Sequence, residues 1–441
     1  MTKTGSHRET ASSEETPNTS WSTEVLAGVT TFLTMAYITV VNPAILSSTG
    51  MPLQDVFFAT CVSAAIATFV MALWARYPFA LAPGMGLNAF FAFVVCGQMG
   101  IPWQTALAAV FVSGIVFLAL SFVGLREKII STVPSDLVRA IAAGIGLFIA
   151  FIGLEHAGIV ADHPETLVTL GNITSPATLS SLAGLGLTVA LISARVPGAV
   201  IIGIAITAVI TWIAGIAPPP DGIVRAPSLP SQTLGAALFA LKDLARPEII
   251  MVVFTMLFLD LFDTMGTLLA LGYTTGHIGK DGRLPRAKQA FTSDAIGTLV
   301  GSLLGTSTVT TYIESAAGVV TGGRTGRTAL VTGILFLLAL PFFPIIAAVP
   351  AIATAPALIV VGALMFAGAS EINWKDPVIA IPALATVLVM PATFNISNGL
   401  GAGFILYAIT HLAARRTKDM KPATYIIAGA FLIYFAIGTS G

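Results

Sequence analysis

Charge is what this chain has least of: its 441 residues include 21 Lys and Arg and 21 Asp and Glu, 10% charged in all, with 56% hydrophobic. Soluble domains carry about 25% charged residues, so a soluble globular fold is excluded. The mean hydropathy of +0.91 points instead to an all-α polytopic membrane protein. The two signs cancel, leaving no net field to attract nucleic acid, although local charge at a site counts for more than the sum. Cysteine is nearly absent. Cys61 and Cys96 lie in apolar runs without a Cys-x-x-Cys spacing and read as packing thiols, against any disulfide or redox role. The five histidines are scattered, with no His-x-x-x-His pair, so neither a metal nor another cofactor is expected. Residues 1–20 lack the apolar stretch of a signal peptide. Rich in Ser, Thr and Glu, they read as a disordered cytoplasmic tail.

What is abundant is apolar sequence in runs long enough, or nearly so, to cross about 30 Å of hydrocarbon. Seven such segments fall at 25–47, 55–74, 78–97, 103–124, 136–155, 177–195 and 198–217, within a first repeat over 21–217. A connection over 218–248 opens with Pro218, Pro219 and Pro220 and offers an interfacial helix over Leu234 to Leu244. Seven more segments, at 250–272, 290–304, 306–321, 327–349, 351–369, 376–393 and 398–414, form a second repeat over 249–416. The tail 417–441 holds a further run, 423–439, either a fifteenth crossing or a helix lying on the membrane. An odd number of segments per half forces the halves into opposite orientations, the inverted-repeat plan of many secondary transporters.

Lys and Arg in short loops favour the cytoplasm. Arg76, then Arg126, Lys128 and Arg139, then Arg195 follow even-numbered segments; so do Lys280, Arg283 and Arg286, then Arg324 and Arg327, then Arg415, Arg416, Lys418 and Lys421. That pattern predicts a cytoplasmic N-terminus. Loop 155–176 carries Glu155, Asp162 and Glu165 without Lys or Arg, as an external loop should, whereas Lys242 and Arg246 do not fit the scheme.

The chemistry sits in segment 8, where Asp260 and Asp263 interrupt the apolar run from Ile249 to Leu271. Each acid near mid-bilayer costs roughly 2.5–3.5 kcal/mol, so two in one segment mark a pathway or a binding site. Three apart, they share one helix face. The third segment of each half is interrupted: by Pro83, Gly84 and Gly86 in one, and by the β-branched run Thr306 to Thr311 in the other. Extended stretches followed by half-helices are expected there, their positive N-terminal ends facing each other with Asn88 and Glu314 in the first turns. Broken backbone survives in a membrane only when protein buries it or it lines a polar cavity. A separation of 226 positions relates both Asn88 to Glu314 and Tyr37 to Asp263. For the glycines the alternative is close helix packing. Asp294 is expected to pair with the Thr run, orienting it. Thr30, Thr31, Thr34 and Tyr37 either line the cavity or bond back to their own helix. Asn42-Pro43 should kink or end segment 1, and Asn395, Ser397 and Asn398 read as a turn. Gly322 to Arg327 lacks the Gly-Lys-Ser/Thr ending of a phosphate loop and reads as a basic turn.

Four motifs occur in order: Thr31 to Tyr37 with Val41-Asn42-Pro43, Ala82 to Phe91, Asp260 to Thr267, and Glu314 to Gly318. Together they resemble the AzgA-like branch of the nucleobase:cation symporters, the xanthine/uracil permease group, and the likeness runs from Trp21 to Arg416. The resemblance implies fourteen segments as seven plus seven inverted. It divides them into a core domain (25–124 with 249–349) and a gate domain (136–217 with 351–414), and implies carriage of adenine, guanine and hypoxanthine with protons. It makes Asn88, Asp260, Asp263 and Glu314 the binding and coupling residues. The expected substrate set is Asn88, Asp260, Glu314, Gly86 and Ser315; Asp263 and Asp294 are expected to couple or orient, and Phe90, Phe262, Phe258 or Tyr312 either to stack on the ring or to serve as packing. Physical chemistry agrees: a carboxylate accepts two N–H donors from one purine edge, Glu314 being assigned that contact and Asp263 the proton. The expected partners are a purine base and the lipid bilayer of the plasma membrane, with no nucleic acid, and monomer and homodimer both left open.

Other functions fit less well. Anion transporters need positive potential where this chain has Glu314. An intramembrane aspartyl protease needs its two acids on different helices, one in a Gly-x-Gly-Asp motif absent here, and prenyltransferase acids sit at helix ends rather than mid-segment. A passive channel is disfavoured by a dead-end polar site between half-helices.

Overall fold

The computed structural model describes residues 19–123, 134–278, 284–417 and 420–438. The expected tail (1–18 of it) and the basic positions Arg126, Lys128, Lys280, Arg283 and Lys418 lie outside the described residues. Among the described residues nine helices are long and apolar enough to span a membrane: segments 1, 2, 4, 5, 6, 8, 11, 12 and 14. Segments 3, 7 and 13 are shorter apolar helices. Segment 9 is the helix Ala287–Leu304, whose Thr, Ser, Gln and Asp content lowers its hydropathy, and segment 10 contributes the short helix Ser315–Val320. All fourteen segments therefore occur where the apolar runs place them.

Helix ends follow local chemistry. Segment 6 begins at Pro176 with the Ser175 hydroxyl accepting from Thr178 N–H, and segment 13 begins at Pro377 under an Asp376 cap; proline suits the first turn because its missing N–H would have no partner there. Segment 8 runs Pro247–Thr275 and ends on left-handed Gly276. Two turns differ from expectation. Segment 1 breaks at Ala36 and Tyr37, between helices Trp21–Met35 and Ile38–Ser47, while Pro43 lies inside the second helix. Asn42 does not end the segment; it donates to Thr60 and Thr306 hydroxyls at 2.7 and 2.9 Å. Asn395 caps the helix Ile396–Ala413 by accepting from Ser397 and Asn398 N–H, so those two belong to the first helical turn. The turn itself is at Phe394, with φ +50°.

The connection over 218–248 carries a short helix, Ala236–Phe239, followed by a tighter turn, Leu241–Ala245. Loop 155–176 forms a small hairpin, Val160–His163 with Leu167–Leu170. The last apolar run is the helix Pro422–Gly438, packed on segment 14 with Phe431 stacked on Phe404. At the other end of segment 14, Arg416 beside Asp376 holds that carboxyl below the usual carboxylate range. Packing is heaviest within two groups of helices: segments 1, 2, 4 and 8–11, and segments 5–7 with 12–14.

Segments 3 and 10 meet in the middle. Gly305, at φ +110°, turns the chain out of segment 9, a conformation that suits only glycine. The strand Val309–Thr311 then pairs antiparallel with Leu81–Pro83. Each strand's outer edge is satisfied by a threonine on the helix behind it. Thr68 accepts from Leu81 N–H at 2.9 Å, and Thr298 accepts from Val309 N–H at 3.1 Å. Broken backbone in an apolar layer needs such partners. Pro83 sits opposite Val309 in the ladder, and these positions are 226 apart, the separation that relates Tyr37 to Asp263. A two-fold axis passes midway between a residue and the repeat mate it pairs with, so the axis of the inverted repeat crosses the ladder between Pro83 and Val309.

Candidate functional site

A cavity of about 920 Å³ opens beside this strand pair. One wall combines Tyr37, at the break in segment 1, with Gly84, Met85 and Gly86 and with Thr310 to Glu314. A second wall is the stripe Asp263, Gly266, Thr267, Ala270 and Thr274 of segment 8, at the spacing of one helix face. Opposite lie Val138, Arg139 and Ala142 of segment 5 with Val361, Leu364 and Met365 of segment 12. The cavity reaches Ser135, Thr274 and Glu371, which stand at the start of segment 5 and the ends of segments 8 and 12. Alternate crossing puts those three ends on the same side of the membrane.

Two carboxylates face this space. Glu314 immediately precedes the half-helix Ser315–Val320, and its Oε1 accepts from the Tyr37 hydroxyl at 2.7 Å. Asp263 lies within electrostatic reach of Glu314 and hydrogen-bonds the Thr310 side chain. The phenol of Tyr312 donates to the Pro83 carbonyl, tying the strands together while its ring lines the cavity. The lining cation Arg139 is paired with Glu371 at 3.1 Å. Two carboxyl groups are thus left facing the cavity without a cation bound to them among the described residues.

The structure sorts the residues expected from sequence. Glu314, Asp263 and Gly86 line the cavity. A Cβ on Gly86 would stand 2.6 Å from Ile145 Cγ2, so its lack of a side chain also lets segment 3 approach segment 5. Asp260 is 1% exposed, outside the cavity and engaged in the interior. The stripe on segment 8 stops at Asp263, and Asp260 lies one turn from Thr264, on the side facing segment 9. Asn88 is fully buried, its Oδ1 accepting from Ser307 while Nδ2 has no partner among the described residues. Asp294 accepts from Thr264 at 2.9 Å, which ties segment 9 to segment 8 rather than to the cavity. Ser315 accepts from Ala80 N–H at 3.0 Å and is buried. Neither Phe90 nor Phe262 reaches the cavity; Phe262 packs on Phe258 with ring centres 4.5 Å apart. Thr30 and Thr34 bond back to their own helix, and Tyr37 alone of that set lines the site.

Sequence reasoning missed the opposing wall. Arg139 and Glu371 had only their charge to announce them, and the apolar residues of segments 5 and 12 look like any lipid-facing stretch. Thr310 had a signal, lying in the unwound run, and Tyr312, a stacking candidate from sequence, lines the cavity.

Residues 22–401 match the Permease family. The chain is 45% identical to the guanine/hypoxanthine permease PbuG of Bacillus subtilis, across 95% of this chain and 97% of the relative. It is 42% identical to the adenine permease AdeP of Escherichia coli, across 93% and 92%. Among solved structures, the transmembrane domain of the cyanobacterial bicarbonate transporter BicA superposes with a TM-score of 0.61 at 16% identity, covering 87% of this chain and 97% of that one. That likeness concerns the fold alone, a seven-plus-seven inverted-repeat membrane transporter.

Proposed function

Because the chain belongs to the Permease family, we propose that it imports purine nucleobases, adenine, guanine or hypoxanthine, across the plasma membrane with protons. The observation that carries this reading is the meeting of Asp263, Glu314 and Tyr37 in one cavity beside the crossed strands. A neutral purine presents ring and exocyclic N–H groups on its edges, and each carboxylate accepts one edge. The names of PbuG and AdeP support the substrate class.

The anion reading, which the BicA likeness raises, fails on charge. The cavity's arginine is bound to Glu371, and two acids occupy the closed end. An anion would meet like charge without compensation.

Described basic residues Arg76, Arg195, Arg324, Arg415 and Arg416 stand at the membrane side shared by Thr274 and Glu371. The positive-inside tendency makes that side cytoplasmic, so the cavity is open inward. Segments 1–4 with 8–11 then act as a core carrying the site, and segments 5–7 with 12–14 as a gate against which the core moves. One proton falling through 100 mV releases about 2.3 kcal/mol, enough for roughly fifty-fold accumulation of a neutral base.

The test is uptake of labelled adenine, guanine, hypoxanthine, xanthine and uracil into cells lacking their own permeases, with and without an uncoupler. Uptake of at least one purine, abolished by uncoupling, is expected. No purine uptake sinks the substrate assignment; uptake indifferent to the uncoupler sinks the coupling.

A further inference from the structure

Tyr37 is the one residue of segment 1 that lines the cavity, and it lies at the irregular turn of that segment. Helix Trp21–Met35 stops one residue short of Ala36, and Ile38–Ser47 starts beyond Tyr37. At the break the Tyr37 carbonyl accepts from both Val40 and Val41 N–H, at 3.1 and 2.9 Å. The backbone is therefore satisfied through this turn, where Ala36 and Tyr37 keep right-handed φ and ψ. Tyr37 is 2% exposed, and its single polar atom donates to Glu314 Oε1 at 2.7 Å across 277 positions of sequence.

We propose that Tyr37 is a positioning residue for Glu314: its hydroxyl occupies one carboxylate oxygen and turns the other toward the cavity, on the side of Asp263. The inference rests on the nucleobase-transport reading above and goes beyond it in one respect. With Oε1 accepting from the phenol, the carboxylate plane is fixed, and its remaining acceptor sites meet the base in one orientation. A carboxylate at the entrance to a six-residue helix has free rotation about three side-chain bonds, and an anchored oxygen removes most of that freedom before the ligand arrives. Preorganisation of this kind acts on affinity. The anchor and the carboxylate come from segments 1 and 10, which pack on each other, so the pair travels intact when the core moves.

The test uses the full chain in cells lacking nucleobase permeases, with membrane abundance measured by a fluorescent tag and with whichever purine the wild type carries. Tyr37→Phe keeps the ring and removes the hydroxyl. A hydrogen bond to a charged group is worth enough that KM should rise about tenfold or more, with Vmax within about twofold of wild type. In Glu314→Gln the same substitution should add little, and Glu314→Asp, whose shorter side chain draws away from the phenol, should likewise become insensitive to it. Tyr37→Phe leaving KM unchanged while Glu314→Gln raises it would overturn the proposal. So would a full, additive effect of Tyr37→Phe in the Glu314→Gln background. If Glu314→Gln and Asp263→Asn both transport normally, it is the location of the binding site that has failed. A Tyr37→Phe protein absent from the membrane means that the hydroxyl holds the fold, which also overturns a positioning role.

Discussion

Alanine at Gly86 puts a methyl group where segments 3 and 5 touch, and so probes whether the core slides past the gate. The new Cβ would stand 2.6 Å from Ile145 Cγ2, whereas carbon atoms settle at about 3.5–4.0 Å. The two helices must separate by roughly 1 Å, or Ile145 must leave its rotamer. Overpacking of this kind costs about 1–3 kcal/mol, partly offset by the gain in helix propensity of up to about 1 kcal/mol on replacing glycine. The cost falls only on the state in which Gly86 lies against Ile145. The balance between inward- and outward-open forms should therefore shift away from the inward form, by roughly 5- to 150-fold before the offset. The readout is alkylation of a cysteine introduced at Thr274, at the cavity mouth, in a background with Cys61 and Cys96 replaced. Gly86→Ala should slow alkylation and lower uptake. Adding Ile145→Leu, which removes the Cγ2 branch at constant volume, should restore both. Unchanged alkylation, or no rescue by Ile145→Leu, would refute the idea that this contact belongs to one state.

The other expectations concern separate parts of the molecule. Asp263→Asn should abolish concentrative uptake while leaving some purine exchange, checked by counterflow with and without an imposed pH gradient; full pH-driven accumulation would remove Asp263 from coupling. Gln98 donates to the Thr393 carbonyl at 3.0 Å and accepts from Asn395 at 3.2 Å, joining segment 3 to the turn before segment 14 at the end opposite the cavity mouth. Oxidative crosslinking of Gln98→Cys with Asn395→Cys should therefore stop uptake, and reductant should restore it; transport by the crosslinked protein would mean that this end does not open. Asp376, held by Arg416 below the usual carboxylate range, stabilises the fold above its unfolded pKa, and that contribution is lost as pH falls through the lower folded value. Asp376→Asn should thus lower thermal stability in detergent at neutral pH, with the gap to wild type closing in acid below about pH 3.8.

How much was legible depends on what kind of signal each feature leaves. The fourteen segments and both interruptions were readable because apolar run length and clustered Pro, Gly and Thr are local properties. The irregular turn at Tyr37 leaves no such mark, because the strongest local helix breaker, Pro43, lies six residues further along. Removal of one N–H loosens a helix without fixing where it opens, and the hydroxyl of Thr39 bonding to the Ala36 carbonyl at 2.7 Å secures the opening one turn earlier. Asp260 and Asp263 show the same limit. Helical spacing puts them on one face, but a cavity has an end, and where it ends is set by the strands of segments 3 and 10, far off in sequence. Asn88 has the expected neighbourhood yet turns to Ser307, a choice between two nearby hydroxyl-rich walls that no spacing rule decides.

The 226-residue separation explains why the site is where it is. Pro83 and Val309, repeat mates, pair with each other across the axis, and Tyr37 and Asp263, mates by the same separation, both line the cavity. The other mates part company: Glu314 lines the cavity, whereas Asn88 is buried against Ser307. The two also sit differently, Glu314 just before its half-helix and Asn88 inside Met85–Ala89, so the two repeats depart from strict symmetry here. Two acids and a phenol converge on the cavity, and an amide remains buried away from it. A symmetric scaffold thereby acquires a single oriented site.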